Sequence, residues 1–432
     1  MIRDEIIAVR CNAASTTLSS AFRRTCCGLL LFFFLSPVSP AAEAPDWNAD
    51  TLTGDWGGVR TDLSERGVTV EVVLKADILS NVSGGIKRGT KYMDNWDVKL
   101  LADADKLWGW KNTTAFFQLI SNHGGKLNAT HVGSFMGVDN IEANTNTTKL
   151  FHAWLERSFL DEKFSVLAGL YPVDSQFYVT DATAVFLHPT GGMAAEVAQT
   201  GVNGPSIFPT SSFGVRAMWQ PTPKYYFQAA LVDGVPGDPN NPHGTHIRFD
   251  RGDGTLAIAE TGLRPAEEIS KYAVGTWRYT AHFDDLVDTD ASGNPVRRVN
   301  RGTYFLSEQT VFREKDDSSQ GLALFFRYGV ANGDVNPLDY SYSLGLRYKG
   351  LLPGRDQDEF GIGLTRGHVG AKFRQAVATP LETSETALEI TYRAKVIRWL
   401  AIQPTLQRIL NPGHDPALGD AWVAGARFEI AL

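Results

Sequence analysis

The chain of 432 residues has little cysteine, and all of it stands near the beginning. Its three cysteines are Cys11, Cys26 and Cys27, so the rest of the chain contains no thiol. This excludes a disulfide scaffold, a zinc ribbon and a cysteine nucleophile from everything that follows. The absence suits a protein of an oxidising compartment, where free thiols risk mispairing.

Long apolar runs are also missing, apart from one short run near the N-terminus. Arg23 and Arg24 precede an apolar stretch over 26–35, and small residues follow up to Ala44. A membrane-spanning helix needs roughly 20 apolar residues, so this stretch is too short to anchor the protein. The pattern predicts a secretory signal peptide over residues 1–41, and its long leader leaves a later start codon open.

Basic residues are not in excess, because 41 lysines and arginines stand against 48 aspartates and glutamates. The net charge of −7 is not the footprint of a nucleic-acid binder. The length would ordinarily suggest two or three soluble domains, yet no linker rich in proline, serine or charge divides the chain.

The sequence shows instead a regular alternation of apolar and polar residues. In residues 68–78, apolar side chains occupy every second position from Val68 to Ile78, with Glu71 and Lys75 between them. This period places one face of a β-strand against lipid or core and the other against water. Sixteen segments are predicted to be strands: 68–79, 96–105, 113–121, 150–159, 164–171, 212–220, 224–233, 254–262, 270–283, 300–313, 319–330, 338–349, 358–366, 384–396, 400–410 and 420–432.

The connections between these segments alternate in length. Those after even-numbered segments are short, as at 160–163, 221–223 and 397–399, whereas those after odd-numbered segments are mostly long. Short turns at one end, long loops at the other and an even strand number are typical of transmembrane β-barrels. We therefore predict an all-β fold, an antiparallel barrel of about sixteen strands over 68–432, in the bacterial outer membrane. A soluble sandwich or propeller explains the alternation but not the asymmetry of the connections.

The longest connection, 172–211, is the third of the long loops. A sixteen-stranded barrel leaves a wide aqueous channel, and a loop of this length exceeds what a connector needs. We predict that it folds inward as a constriction; an external lid is the alternative.

A glycine-rich motif stands before the first predicted strand, in the segment 42–67. It consists of Gly54, Asp55, Trp56, Gly57, Gly58 and Arg60. Asp55 is placed to cap a short helix, and Gly67 to end it. The motif resembles the N-terminal hallmark of the carbohydrate-selective porins of the OprB type, and further likeness lies in 153–156 and 168–170.

The resemblance implies a sixteen-stranded barrel, an inward third loop, and passive, substrate-selective uptake of glucose and related sugars. A general, non-selective porin is one alternative, and an adhesin or enzyme built on a barrel scaffold is another. The implied partners are small sugars, outer-membrane lipid with lipopolysaccharide, and the barrel assembly machinery, with no nucleic acid. The chain ends in Leu432 where such barrels often end in an aromatic residue, but Phe428 and Ile430 keep the alternating signal for assembly.

Alternation also predicts which side chains point into the lumen. Strand 150–159 turns Phe151 and Leu155 toward lipid and His152, Trp154 and Glu156 toward the lumen. An indole beside a carboxylate can bind a sugar, whose ring faces are apolar and whose edges carry hydroxyl groups. The alternative is that Trp154 packs against the inward loop.

Inward arginines are the next candidate sugar ligands, because a guanidinium offers five planar donors. They are Arg216, Arg327, Arg347, Arg393 and Arg427, with Glu71, Glu389 and Glu429 as counter-charges. The simpler account is that these charges only solvate a wide lumen.

Catalysis finds little support, since no serine lies in a nucleophile elbow. Asp238, Asp250 and Asp253 could hold calcium in the 234–253 loop, but their spacing lacks the EF-hand pattern and a solvated loop is the simpler interpretation. We therefore expect no catalytic residue, no metal site and no cofactor.

Overall fold

The computed structural model describes residues 49–265, 269–315, 317 and 319–432. The signal peptide predicted over 1–41 lies outside these residues. The described residues form sixteen antiparallel strands that pair in chain order, and pairing of the first strand with the last closes a barrel. The predicted fold is confirmed.

All sixteen predicted strands are present, and the largest shift is at the second, which begins at Gly89 instead of residue 96. The strands are β1 (Val68–Ser83), β2 (Gly89–Asp103), β3 (Thr113–Gly124), β4 (Thr147–Phe159), β5 (Phe164–Tyr171), β6 (Ser212–Thr222), β7 (Tyr225–Asp233), β8 (Thr255–Leu263), β9 (Ser270–Thr289), β10 (Pro295–Arg313), β11 (Gly321–Ala331), β12 (Leu338–Lys349), β13 (Glu359–Val369), β14 (Ser384–Ile397), β15 (Leu400–Leu410) and β16 (Ala421–Ala431). Short α-helices of the described chain are α1 (Val59–Glu65), α2 (Ala104–Trp108), α3 (Ala195–Ala198) and α4 (Ala371–Ala376). None of the helices in this part of the chain is long and apolar enough to cross a membrane.

The two ends of the barrel differ mostly as predicted, although the connections 84–88, 290–294 and 332–337 after odd-numbered strands are short. Connections after even-numbered strands form the turn end, and those after odd-numbered strands form the loop end. The loops are L1 (84–88), L2 (125–146), L3 (172–211), L4 (234–254), L5 (290–294), L6 (332–337), L7 (370–383) and L8 (411–420). The same division in outer-membrane barrels puts short turns in the periplasm and long loops outside the cell.

Alternation along the strands separates an apolar outer face from a polar inner face. Leu324 and Leu344 point outward and are each 43% exposed, whereas Arg327 and Ser341 point inward and are buried. Where β1 meets β16, Lys75 lies opposite Glu429. Opposite charges on facing positions of an antiparallel pair stabilise it by about 0.2–1 kcal/mol. This facing pair therefore favours the observed register of the closing strands.

The hydrophobic core lies inside the barrel, between the wall and the loops that enter the lumen. Residues of L3 such as Val173, Phe177 and Met193 pack against wall residues that include Trp277 and Tyr304. A second cluster joins L2 to another part of the wall, through Leu127, Val132, Met136, Leu79, Leu338 and Ile409. Burial of this apolar surface, at about 25 cal/mol per Å², holds both loops inside.

The glycine-rich motif forms the approach to α1 at the turn end. Gly57 and Gly58 adopt φ of 69° and 97°, a region that favours glycine. The N-cap residue is Gly58, yet the Asp55 carboxylate still serves the first helical turn, because the Thr61 N–H donates to it at 3.0 Å. Arg60 lies over the Trp56 ring at 4.1 Å and donates to the carbonyl of Leu432. The motif thus ties the N-terminal segment to the last residue of the barrel.

Candidate solute pathway

A cavity of about 590 Å³ lies in the lumen, between the strand wall and the inward loops. Its volume falls within the roughly 300–1,000 Å³ of sites that hold small molecules. Strands β1 to β3 and β14 to β16 supply one part of its lining, and L2 and L3 supply another. We call it the central cavity.

The strand side of the central cavity carries charged groups that pair with one another. Lys75 donates to Asp97 at 3.2 Å, and Arg393 donates to Glu429 at 2.7 Å. The side chains of Lys75, Arg393 and Glu429 keep 32%, 22% and 31% of their surface exposed. Lys99 also lines this side of the central cavity, and its side chain is exposed to a similar extent. These five residues form the charged arc, which is partly neutralised and open to solvent except at Asp97, whose side chain is 5% exposed.

The loop side of the central cavity is mainly apolar. Phe186, Pro189, Met193 and Phe208 of L3 line it, together with Phe151 of β4. The prediction that Phe151 faces lipid is wrong, because its side chain is only 7% exposed and lies in this cavity. A β-bulge is the reason: the partner of Gln118 is His152, whereas that of Leu119 is Leu150, so the alternation slips at the residue between.

Two of the predicted ligands hold the middle of L3. Arg327 is 1% exposed, and it donates to the carbonyls of Gly192 at 2.9 Å and Gly191 at 3.1 Å, and to that of Thr190. Glu389 accepts the N–H groups of Leu187 and His188 at 2.9 Å each, and the Thr405 hydroxyl at 3.0 Å. Neither residue lines the central cavity.

Four predicted ligands, on the strands β4 and β6, lie close to the start of L3. Arg216, 3% exposed, donates to Glu156 at 3.0 Å, to Gln176 of L3 at 2.9 Å and to Ser165 at 2.8 Å. The Trp154 indole donates to His152 at 3.1 Å and packs against the cluster that contains Phe177 and Trp277. All four side chains point inward, where Arg216 and Glu156 pair with each other, Trp154 bonds to His152, and Arg216 also reaches Gln176 of L3.

Arg427 holds L2. It forms three hydrogen bonds to Asp77, at 2.9, 3.2 and 2.6 Å, and one to Asn140 of L2 at 2.7 Å, while Asp139 lies at 3.5 Å. Arg427 also lines the central cavity, although it is only 6% exposed. Glu385 adds a second attachment by accepting the N–H groups of Phe135 at 2.8 Å and Met136 at 2.9 Å.

The remaining predicted charges lie apart from the loops. Arg347 pairs with Glu359 at 2.7 Å, and both lie near the turn end of their strands. Glu71 pairs with Lys99 at 2.8 Å. Of the eleven predicted site residues, the central cavity brings together three, Arg393, Arg427 and Glu429.

Sequence reasoning missed Lys75, Asp97 and Lys99 as site residues and missed the entry of L2 into the lumen. The three strand residues share the inward parity of the predicted arginines, so alternation could have found them. L2 carries no comparable signal, because its inward position depends on partners far along the chain, as with Ser134 and Glu385, whose side chains bond at 2.6 Å across 251 residues.

Asp174 of L3 is a titratable group on the central cavity. Burial raises the pKa of Asp174 to about 7, because a carboxylate loses solvation in the lumen. Burial lowers the pKa of His188 to about 4, so this loop histidine is neutral at pH 7. Burial also raises the pKa of Glu196, which accepts the Tyr178 hydroxyl at 2.5 Å. The charge of Asp174 therefore responds to small pH changes near neutrality.

In the candidate calcium loop, an arginine of the same loop pairs with the aspartates. Arg248 pairs with Asp238 and with Asp250 at 2.6 Å each. Across the described ranges, no group of three or more histidine, cysteine, aspartate or glutamate side chains is arranged to hold a metal ion.

A closed sixteen-stranded barrel whose lumen is narrowed by its own loops defines the class of this protein: it is a porin of the bacterial outer membrane. The chain belongs to the OprB family of carbohydrate-selective porins, whose family model matches residues 87–432. It is a sugar-selective outer-membrane porin.

The chain is also similar to individual porins. The chain is 27% identical to Porin B of Pseudomonas aeruginosa over 438 residues, which cover 92% of this chain and 95% of the relative. It is 22% identical to the putative porin QuiX of Acinetobacter baylyi over 444 residues, which cover 92% and 99%. The high-pH structure of Pseudomonas putida OprB superposes with a TM-score of 0.78 at 22% identity, covering 89% of this chain and 99% of that one. At that identity, the superposition shows the fold alone.

Proposed function

We propose that neutral sugars cross this porin by diffusion through the central cavity and are selected by the charged arc and the apolar loop side together. The observation that carries the proposal is the pairing of these two surfaces around one cavity of about 590 Å³. A sugar ring presents apolar faces and hydroxyl edges, so it can contact both at once.

In this proposal, Lys75, Lys99 and Arg393 donate to sugar hydroxyls and Glu429 accepts from them. Their internal ion pairs lower the net charge of the cavity, which favours a neutral solute over an ion. Binding must stay weak, because a porin releases what it binds. A millimolar affinity corresponds to about −4 kcal/mol.

We assign the buried predicted ligands to loop positioning. Arg216, Arg327 and Glu389 hold L3, and Arg427 holds L2, so that both loops constrict the lumen. Trp154 packs against the start of L3 from the barrel wall, and His152 and Glu156 lie beside it. Solutes then contact the charged arc, whereas the residues that hold the loops affect solutes only by fixing the shape of L2 and L3.

The porin class favours a channel without catalytic activity. We further propose that the outward apolar side chains contact lipid and lipopolysaccharide, and that the barrel assembly machinery inserts the chain. The alternating outward residues Phe428 and Ile430 of β16 support the last point.

The test is a titration of ion current with glucose across planar bilayers. Arg393→Gln removes a charged donor from the arc, and the net value of one hydrogen bond, about 0.5–1.5 kcal/mol, corresponds to a loss of sugar affinity of roughly two- to twelve-fold. Arg157→Gln is the matched control, since Arg157 is exposed on the other face of β4. Equal sugar block in the wild type and both variants would remove the arc from the pathway.

A further inference from the structure

Two arginines on the outer face of the barrel lie directly opposite each other. Arg278 of β9 and Arg301 of β10 are partners in the register of these strands, and both side chains are exposed. We call them the arginine pair. Facing side chains of an antiparallel pair have Cβ atoms about 4.5–5.5 Å apart, and like charges at this spacing destabilise the sheet. The arrangement therefore favours an anion that binds both guanidinium groups.

The arginine pair lies at the loop-side edge of the apolar outer face. On its turn side, Phe305 of β10 lies between its strand partners Val274 of β9 and Tyr328 of β11. These three side chains are 37%, 52% and 41% exposed. The apolar outer face of such a barrel contacts lipid tails, and the long loops lie outside the cell. The arginine pair therefore lies where the headgroups of the outer leaflet begin.

Other exposed arginines near the loop end have carboxylate partners. Arg297 of β10 pairs with Asp284 of β9 at 2.7 Å, and Arg248 of L4 pairs with Asp250 at 2.6 Å. Within the part of the chain that the structure describes, by contrast, neither side chain of the arginine pair forms a hydrogen bond or an ion pair. The two positive charges of the arginine pair are therefore left to a ligand or to solvent.

We propose that the arginine pair binds a phosphate group of lipopolysaccharide in the outer leaflet. A guanidinium can donate two parallel hydrogen bonds to one phosphate, so two facing guanidinium groups can bind a phosphate from both sides. The negative charge then offsets their mutual repulsion, and the acyl chains of the same lipid contact the apolar surface at Val274 and Phe305. The inference rests on the proposed contact with lipopolysaccharide. It does not depend on sugar passage, because the arginine pair points away from the lumen.

The experiment titrates the purified porin in detergent micelles with bisphosphorylated lipid A, dephosphorylated lipid A and phosphatidylglycerol, and counts bound lipids by native mass spectrometry. The double variant Arg278→Gln/Arg301→Gln should bind bisphosphorylated lipid A at least about tenfold more weakly than the wild type, since it lacks the charge-assisted hydrogen bonds. The wild type should lose a similar factor when the lipid lacks its phosphates. Arg157→Gln is the matched control, because Arg157 is an exposed arginine near the turn end of β4, and it should bind lipid A as the wild type does.

A second measurement distinguishes a ligand site from a structural role. Without lipid A, the double variant should unfold at the same temperature as the wild type or a higher one, because the facing like charges are gone. A lower unfolding midpoint would show that the arginines stabilise the barrel itself and would overturn the proposal.

The remaining outcomes separate the inference from the proposed function. Equal affinity of the wild type and the double variant for lipid A would overturn the phosphate site. Phosphatidylglycerol that binds the wild type as tightly as lipid A does, and is lost in the double variant, would overturn lipopolysaccharide as the occupant. Block of the ion current by glucose should be the same in the double variant and the wild type. Absence of that block in both would overturn sugar passage and leave the phosphate site standing.

Discussion

Replacing Glu389 with glutamine tests whether buried wall residues hold L3 in the lumen. The Glu389 carboxylate is 3% exposed and accepts two L3 backbone N–H groups, those of Leu187 and His188, at 2.9 Å each. Glutamine keeps the shape of the side chain but has one acceptor oxygen and an amide that only donates. In the variant, at least one of the two backbone N–H groups therefore loses its partner.

The magnitude follows from the cost of a buried polar group without a partner, which is about 1–3 kcal/mol. A change of this size shifts the equilibrium between the seated and displaced loop by roughly 5- to 150-fold, since about 1.4 kcal/mol corresponds to tenfold. Apolar contacts such as those of Val173 and Phe177 still favour the seated loop. Glu389→Gln should therefore keep the main conductance level and add brief openings of higher conductance.

Single-channel recording in planar bilayers measures these openings directly. Glu65→Gln on the exposed side of α1 provides the same chemical change away from the lumen and should behave as the wild type. Glu389→Gln traces that match the wild type in level and in open-state statistics would refute the idea that this carboxylate holds the loop.

Three further predictions concern charge, register and the N-terminal motif. The pKa of Asp174 is raised to about 7, so its carboxyl gains negative charge as pH rises from 6 to 8, and the ratio of cation to anion permeability should rise with it. The reversal potential should change less with pH in Asp174→Asn, and a ratio that stays constant in the wild type would contradict the assignment. In bilayers, a charged maleimide should label Arg347→Cys and not Leu344→Cys, and the reverse would show an error of register. Arg60→Ala removes the hydrogen bond to the Leu432 carbonyl, which is worth about 0.5–1.5 kcal/mol. The midpoint of heat unfolding, followed on gels, should therefore fall by roughly 1–4 °C. An unchanged midpoint would argue against this attachment.

The strands could be predicted because their signal is local. A residue's face in a barrel follows from its position in the alternation, and the predicted segments 254–262 and 358–366, for example, correspond to β8 and β13. The rule failed at Phe151 because a β-bulge inserts one residue, and nothing in the neighbouring sequence marks that insertion.

The candidate site was less predictable because its shape depends on long-range contacts. Alternation correctly pointed Arg327 and Arg393 inward, but it could not distinguish a buried guanidinium bound to L3 from a partly exposed one on the central cavity. Whether a guanidinium is buried or exposed depends on the positions of L2 and L3 in the folded barrel. Their positions are fixed by wall residues such as Glu385 and Glu389, which lie some 200 residues or more from their partners in the loops.

The most direct test of the central claim compares solutes of similar mass in the reconstituted wild-type channel. The ion current is titrated with a neutral hexose, which has apolar ring faces and hydroxyl edges, and with a short polyethylene glycol, which is flexible and has mainly ether oxygens. If the charged arc and the apolar loop side recognise sugar together, the hexose blocks the current saturably at millimolar concentration and the glycol does not. Equal, non-saturating effects of the two solutes would contradict the account and indicate passage by size alone.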